Sequence, residues 1–169
     1  SGGALTTGSS NVAVGFQSLL VGTTAATNVA VGNLALAALT TAANNVAVGS
    51  TSGTAMTTGA NNVIIGAAAG DAMTTCSQSV VIGAGAVGSG IMTGDDNISI
   101  GYLSGAALTS GTRNLAIGSN ALDVVTTGND NVSIGHNTLT LLNAAISNNT
   151  VVGSGAAAAM TTGTNNVVI

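Results

Sequence analysis

A glycine returns at almost constant spacing along the whole chain: Gly15, Gly32, Gly49, Gly66, Gly83, Gly101, Gly118, Gly135 and Gly153. The gaps are 17 residues, except for 18-residue gaps at 83–101 and 135–153. A tenth copy begins at Asn166 and reaches Ile169, where its glycine would fall next. A strict period of this length marks a unit that cannot bury its apolar face alone and must stack on its neighbours. An amphipathic helix needs apolar residues every three to four positions, and Gly, Thr and Asn at this density oppose one. An antiparallel sandwich would not hold the register. Coils stacked about 4.8 Å apart explain it directly, and ten of them span roughly 45–50 Å.

Each repeat contains a short strand bounded by Asn and Gly. Val or Ile precedes every repeat glycine, and a second β-branched or aliphatic residue stands two positions earlier. Side chains alternate along a strand, so these two columns share a face. We read that face as the core: Val12, Val14, Val29, Val31, Val46, Val48, Val63, Ile65, Val80, Ile82, Ile98, Ile100, Leu115, Ile117, Val132, Ile134 and Val152. The small residues between them then point outward, where another chain could approach closely. Ala13, Ala30, Ala47 and Ala116 are the expected chain–chain interface. Asn11, Asn28, Asn45, Asn62, Asn97, Asn114, Asn131, Asn149 and Asn166 form a turn ladder. In Gly-x-Asn-Asn the glycine is expected to supply positive φ, while Asn bonds nearby backbone.

After the glycine comes a second arm. Its third residue is small, from Ser18 and Ala35 to Ala156, and four residues later stand Leu39, Met56, Met73, Leu108, Val125, Leu142 and Met160. Gly22 and Gly90 break that column, and Thr-Thr-Gly follows it, as at Thr57-Thr58-Gly59. The 18-residue coils are expected to carry a one-residue bulge in a turn; in the second of them Ala144-Ala145-Ile146 disturbs Thr-Thr-Gly. Composition agrees with a narrow interior: aromatics are 1% of the chain and charged residues 4%, so small aliphatic side chains must fill it. Hydrophobic residues at 46% and a net charge of −4 oppose disorder.

Asn-Val-Ala-Val-Gly-x-x-Ser/Ala, repeated over essentially all 169 residues, resembles the head repeat of the YadA-like trimeric autotransporter adhesins. With Thr-Thr-Gly-x-Asn-Asn it also resembles repeat arrays of phage tail fibres and other bacterial surface fibres. The resemblance implies a left-handed parallel β-roll, three identical chains side by side, and a role in adhesion or as a shaft. It implies Val12 and Val14 inside the coil and the Ala13 column on the trimer axis. The autotransporter repeat is usually shorter, and the Thr-Thr-Gly segment here lengthens each coil, which favours the tail-fibre branch.

Other motifs point elsewhere less strongly. Gly83-Ala84-Gly85-Ala86-Val87-Gly88 matches a dinucleotide fingerprint, but no helix pattern follows and no acid stands about 20 residues on. Asp95, Asp96, Asp123 and Asp130 lack the spacing of calcium β-rolls. His136 and Cys76 have no recurring partner column. Asn97-Ile-Ser99, Asn131-Val-Ser133 and Asn148-Asn-Thr150 fit the glycosylation sequon. Adjacent Thr pairs would present one Thr per coil to water, whereas an ice-binding array wants two. Arg113 is the one strong base, so nothing offers the basic patch that nucleic acid or anionic lipid needs. No apolar run approaches 18 residues, so no membrane insertion by this segment is expected.

The sequence therefore predicts an all-β parallel solenoid of about ten coils, a single array over 1–169 that is an excerpt of a longer fibre, with a glycine following Ile169. The expected role is a structural segment of an extracellular trimeric adhesin or phage tail fibre, without catalytic residues, cofactor or metal. Its expected partner is itself, and other parts of the fibre would meet a host receptor. The alternatives are a self-assembling extracellular filament or sheath protein and, less favoured, an ice-binding solenoid.

Overall fold

A computed structural model describes residues 2–140 and 145–169; Leu142 of the apolar column and Ala144 of the disturbed Thr-Thr-Gly segment lie outside them. The chain is an all-β solenoid. Its strands are β1 (Val12–Val14), β2 (Val29–Val31), β3 (Val46–Val48), β4 (Val63–Ile65), β5 (Val80–Ile82), β6 (Ile98–Ile100), β7 (Leu115–Ile117), β8 (Val132–Ile134), β9 (Thr150–Val152) and β10 (Val167–Val168). They form one parallel sheet in sequence order. Register joins like to like: Val12 faces Val29, Ala30 faces Ala47, and Ile100 faces Ile117. The ladder bonds are short, as in Val29 N–H to the Asn45 carbonyl at 2.8 Å and Gly32 N–H to the Val14 carbonyl at 2.8 Å.

The rest of each coil is built from turns whose backbone also bonds to the next coil. Leu36 N–H donates to the Ser52 carbonyl at 3.0 Å, and Thr57 N–H to the Thr74 carbonyl at 2.8 Å. Stacking thus satisfies backbone groups that irregular chain would otherwise leave to water. The longer coil at 83–101 slips Met92, not Gly90, into the apolar column: Met92 pairs with Met73 in a parallel bridge and is fully buried.

The strands face the opposite way from the sequence expectation. In β3 the middle residue Ala47 is 0% exposed, while Val46 is half-buried and Val48 is 37% exposed. The same phase holds in every strand from β2 to β9. Ala30, Ala47 and Ala116 are fully buried, and so are Ile64, Val81, Ser99, Ser133 and Val151. Ala13 packs against the core cluster. These alanines therefore line the inside and are not a chain–chain interface. Conversely, Val12, Val14, Val29, Val31, Val46, Val48, Val63, Ile65, Val80, Ile82, Ile98, Ile100, Leu115, Ile117, Val132, Ile134 and Val152 are not the core; they lie half-buried to exposed on the outer face.

The reason is volume. The sheet and the second arm approach closely, so the strand contributes small side chains while the second arm supplies the large ones: Leu19, Leu36, Leu39, Met56, Met73, Leu108 and Leu122, all fully buried. Where the strand side chain is large, the arm gives way. Ile64 stands over Gly53 and Gly70, at the position where neighbouring coils carry Leu19 and Leu36. A Cβ on Gly53 would lie 3.0 Å from Ile64 Cδ1 and 2.9 Å from Leu36 Cδ2. At this site the strand supplies the volume that the arm lacks, as close packing requires.

Candidate functional site

Three ladders run the length of the solenoid. The first is internal. Asn45 Oδ1 accepts from the backbone N–H and the side-chain amide of Asn62, each at 3.0 Å. Asn45 Nδ2 donates to the Gly59 carbonyl of the next coil at 3.0 Å and to Asn28 Oδ1 at 3.1 Å. The pattern repeats through Asn28, Asn62, Asn97, Asn114, Asn131 and Asn149, all buried, and continues to the half-buried Asn11 and Asn166. Ser79 interrupts it: its N–H reaches Asn62 Oδ1 at 2.9 Å, but its hydroxyl cannot replace the amide donor. Positive φ in this turn falls on the residue before the buried Asn, as in Asn44 (61°) and Asn61 (60°), and not on Gly59, although Gly163 in the last coil also has it (142°). Gly59 is needed instead because a Cβ there would run into the Cys76 carbonyl.

The second ladder is threonine. The first Thr of each pair spends its hydroxyl on the next coil's backbone: Thr40 to the Thr57 carbonyl at 3.1 Å, Thr57 to Thr74 at 3.2 Å and Thr109 to Thr126 at 3.0 Å. The second Thr is exposed, as at Thr24, Thr41, Thr58 and Thr75. One exposed Thr column per coil is the arrangement that strand alternation predicts.

The third is the outer face of the sheet. Its two columns hold Val, Ile or Leu at every coil, with Thr150 the exception. Val14 is 55% exposed and Ile65 38%, in a row broken by no charge. On one side it is bordered by the polar turn column Thr27, Asn44, Asn61, Gln78, Asp96, Arg113 and Asp130. On the other, after the repeat glycine, stand Phe16, Tyr102 and His136, all exposed.

The remaining chemistry-bearing residues are dispersed. Arg113 makes a two-pronged ion pair with Asp130 in the next coil, Nε to Oδ1 at 2.7 Å and Nη2 to Oδ2 at 2.8 Å. The pair holds the Asp130 carboxyl below its ordinary range, but both groups are exposed and such pairs add little to stability. Asp95 accepts the Ser77 N–H at 2.7 Å, a turn role. Asp71 and Asp123 each keep one carboxylate oxygen shut from water without a partner, and burial raises both. Burial, aided by the Asp95 charge, pushes the Cys76 thiol up to about 12, which keeps it un-ionised and unreactive. Gly83 and Gly85 sit at φ of 133° and 64° in a turn, with no helix after them. Asn97 and Asn131 of the sequons are buried ladder members, whereas Asn148 is exposed. Among the described residues no three His, Cys, Asp or Glu side chains come together and no pocket opens.

No family model, curated protein or solved structure matches the chain.

The strands and the Asn ladder lie where the repeat spacing puts them. The outer apolar face does not follow from that spacing. The signal that could have found it is the exchange of Leu36 for Gly53 and Gly70 where Ala47 gives way to Ile64. Two columns that trade volume must touch, so the middle column must point at the arm.

Proposed function

We propose that the chain is a structural fibre segment of an extracellular trimeric adhesin or phage tail fibre, acting as a shaft or attachment element. The single observation that carries this reading is the unbroken in-register sheet from Val12 to Val168, in which every coil repeats its predecessor. Such an array transmits length and stiffness and gives no coil a distinct chemistry. Its ionisable groups are scattered, and among the described residues no three His, Cys, Asp or Glu side chains come together. The resemblance of Asn-Val-Ala-Val-Gly and Thr-Thr-Gly to adhesin heads and tail-fibre arrays supports the same reading, along with a left-handed coil, three chains and a site at the bacterial surface or on a virion.

Sedimentation equilibrium with electron microscopy of the purified chain tests it. The expected result is a trimeric rod. A monomer at micromolar concentration, or a globular particle, would overturn the proposal.

A further inference from the structure

We infer that the outer Val/Ile face of the sheet is where copies of this chain meet, stripe against stripe. This rests on the self-association proposed above and names its surface, which the sequence reading had placed on the alanines that prove to be internal.

The stripe consists of the strand residues flanking each buried middle residue: Val12 and Val14, Val46 and Val48, Val63 and Ile65, Ile98 and Ile100, and their equivalents. A solvated sheet face ordinarily alternates toward polar residues, because water rewards them there. Here the outward positions are β-branched and aliphatic, while Ser99 and Ser133 stand inside. Ser99 Oγ is buried with no partner, a cost the opposite orientation would have avoided. Ten strands at about 4.8 Å and two side-chain columns roughly 10 Å wide give a ribbon on the order of 500 Å². A ribbon of that size is at the upper end of what monomers leave bare. Two such ribbons in contact bury about 1,000 Å², the lower bound of a specific interface, before the flanking residues are included.

The occupant is a second copy because the ribbon is periodic. Only a partner with the same coil spacing can seat a side chain at every step over the full length, and identical ladders interdigitate into dry contacts. The exposed Phe16 and Tyr102 beside the stripe extend the covered area. None of the few charged residues lies on the ribbon, so two copies meet without burying one.

The test compares oligomeric state by sedimentation equilibrium, with circular dichroism as the check on folding. Three proteins are used: the unmodified chain, a stripe variant (Val46→Lys, Val48→Lys, Ile65→Lys) and a control on the exposed threonine column (Thr41→Lys, Thr58→Lys, Thr75→Lys). The expected result is an oligomeric parent and control and a monomeric stripe variant that keeps its β signal. Should the lysine variant fail to fold, Val46→Thr, Val48→Thr and Ile65→Thr keeps β-branching and should weaken association at least tenfold. A monomeric parent would overturn both this inference and the fibre reading. An oligomer that survives the stripe substitutions, or one dissociated by the control, would overturn the face alone and leave the fibre reading standing.

Discussion

Asn45 and Ala47 point into the solenoid; Val46 and Val48, one residue away in the same strand, point out. The inner side varies from coil to coil but is tightly constrained. Ile64 replaces Ala47 beside Gly53, where other coils carry leucine in the arm, and Asn45 is held by bonds to the coils before and after its own. The outer side hardly varies, although nothing within the chain packs against it. An interior tolerates change when volume is conserved; the outer face repeats one kind of residue without a cause inside the described chain, and it is from that pattern that the association of copies is proposed.

The sharpest break of this contrast is a volume exchange. Ile64→Ala should leave a void and cost about 2–5 kcal/mol, and Gly53→Leu alone should overpack by about 1–3 kcal/mol. The backbone at Gly53 has φ of 59°, close to the 49° that Leu19 and Leu36 hold, so leucine can occupy it. The double variant should then cost less than the sum by about 1 kcal/mol or more, read in denaturant melts. Strict additivity would deny that the middle column touches the arm. Ile65→Ala should show no coupling to position 53.

Asn45→Ala should cost about 3 kcal/mol, since it strands the Asn62 N–H and the Gly59 carbonyl in the interior. At the exposed Asn44, Asn44→Asp keeps a residue type that other coils hold at the same left-handed turn position, Asp96 and Asp130, and should cost well under about 1 kcal/mol. Equal effects would remove the inner ladder from the account. Ser79→Asn works in the other direction. It supplies the amide that Asn62 Oδ1 lacks and should raise stability by about 1 kcal/mol; an unchanged melting temperature would show that the ladder is not additive there.

The smallest effect concerns Asp123, whose carboxyl burial raises. The fold holds that proton more tightly than the unfolded chain does. Stability therefore falls as pH rises through the raised value and is recovered below the unfolded value of about 3.9. Asp123→Ala should raise the melting temperature at pH 7 by a small margin that vanishes below about pH 4. A gain independent of pH would assign it to packing instead.

Much of this was legible in the residues. The glycine spacing dictated stacked coils, and Val-x-Val bounded by Asn and Gly located each strand. The phase of the strand was not, because alternation defines two sides without saying which is inside. Judging by residue size put Val inward, but a narrow coil takes its bulk from whichever layer has room, here Leu36 and Met56 of the second arm. Ser99 and Ser133 between aliphatics reinforced the error, since polar residues in a strand usually face water; Ser133 is instead satisfied internally by Thr138 at 2.7 Å. The turn misled for a related reason. Glycine is needed at Gly59 for close approach to the Cys76 carbonyl, and the left-handed residue is Asn61.

Ile64 and Ile65 offer the most direct measurement, being adjacent, identical and on opposite sides. Thermal melts of Ile64→Asp and Ile65→Asp, followed by circular dichroism, read the orientation of the strand. Ile64→Asp buries an unpaired carboxylate and should cost several kcal/mol, abolishing the cooperative β signal. Ile65→Asp should keep a folded, melting β-solenoid. A folded Ile64→Asp beside an unfolded Ile65→Asp would contradict the account, placing the Val/Ile columns inside and the middle column out.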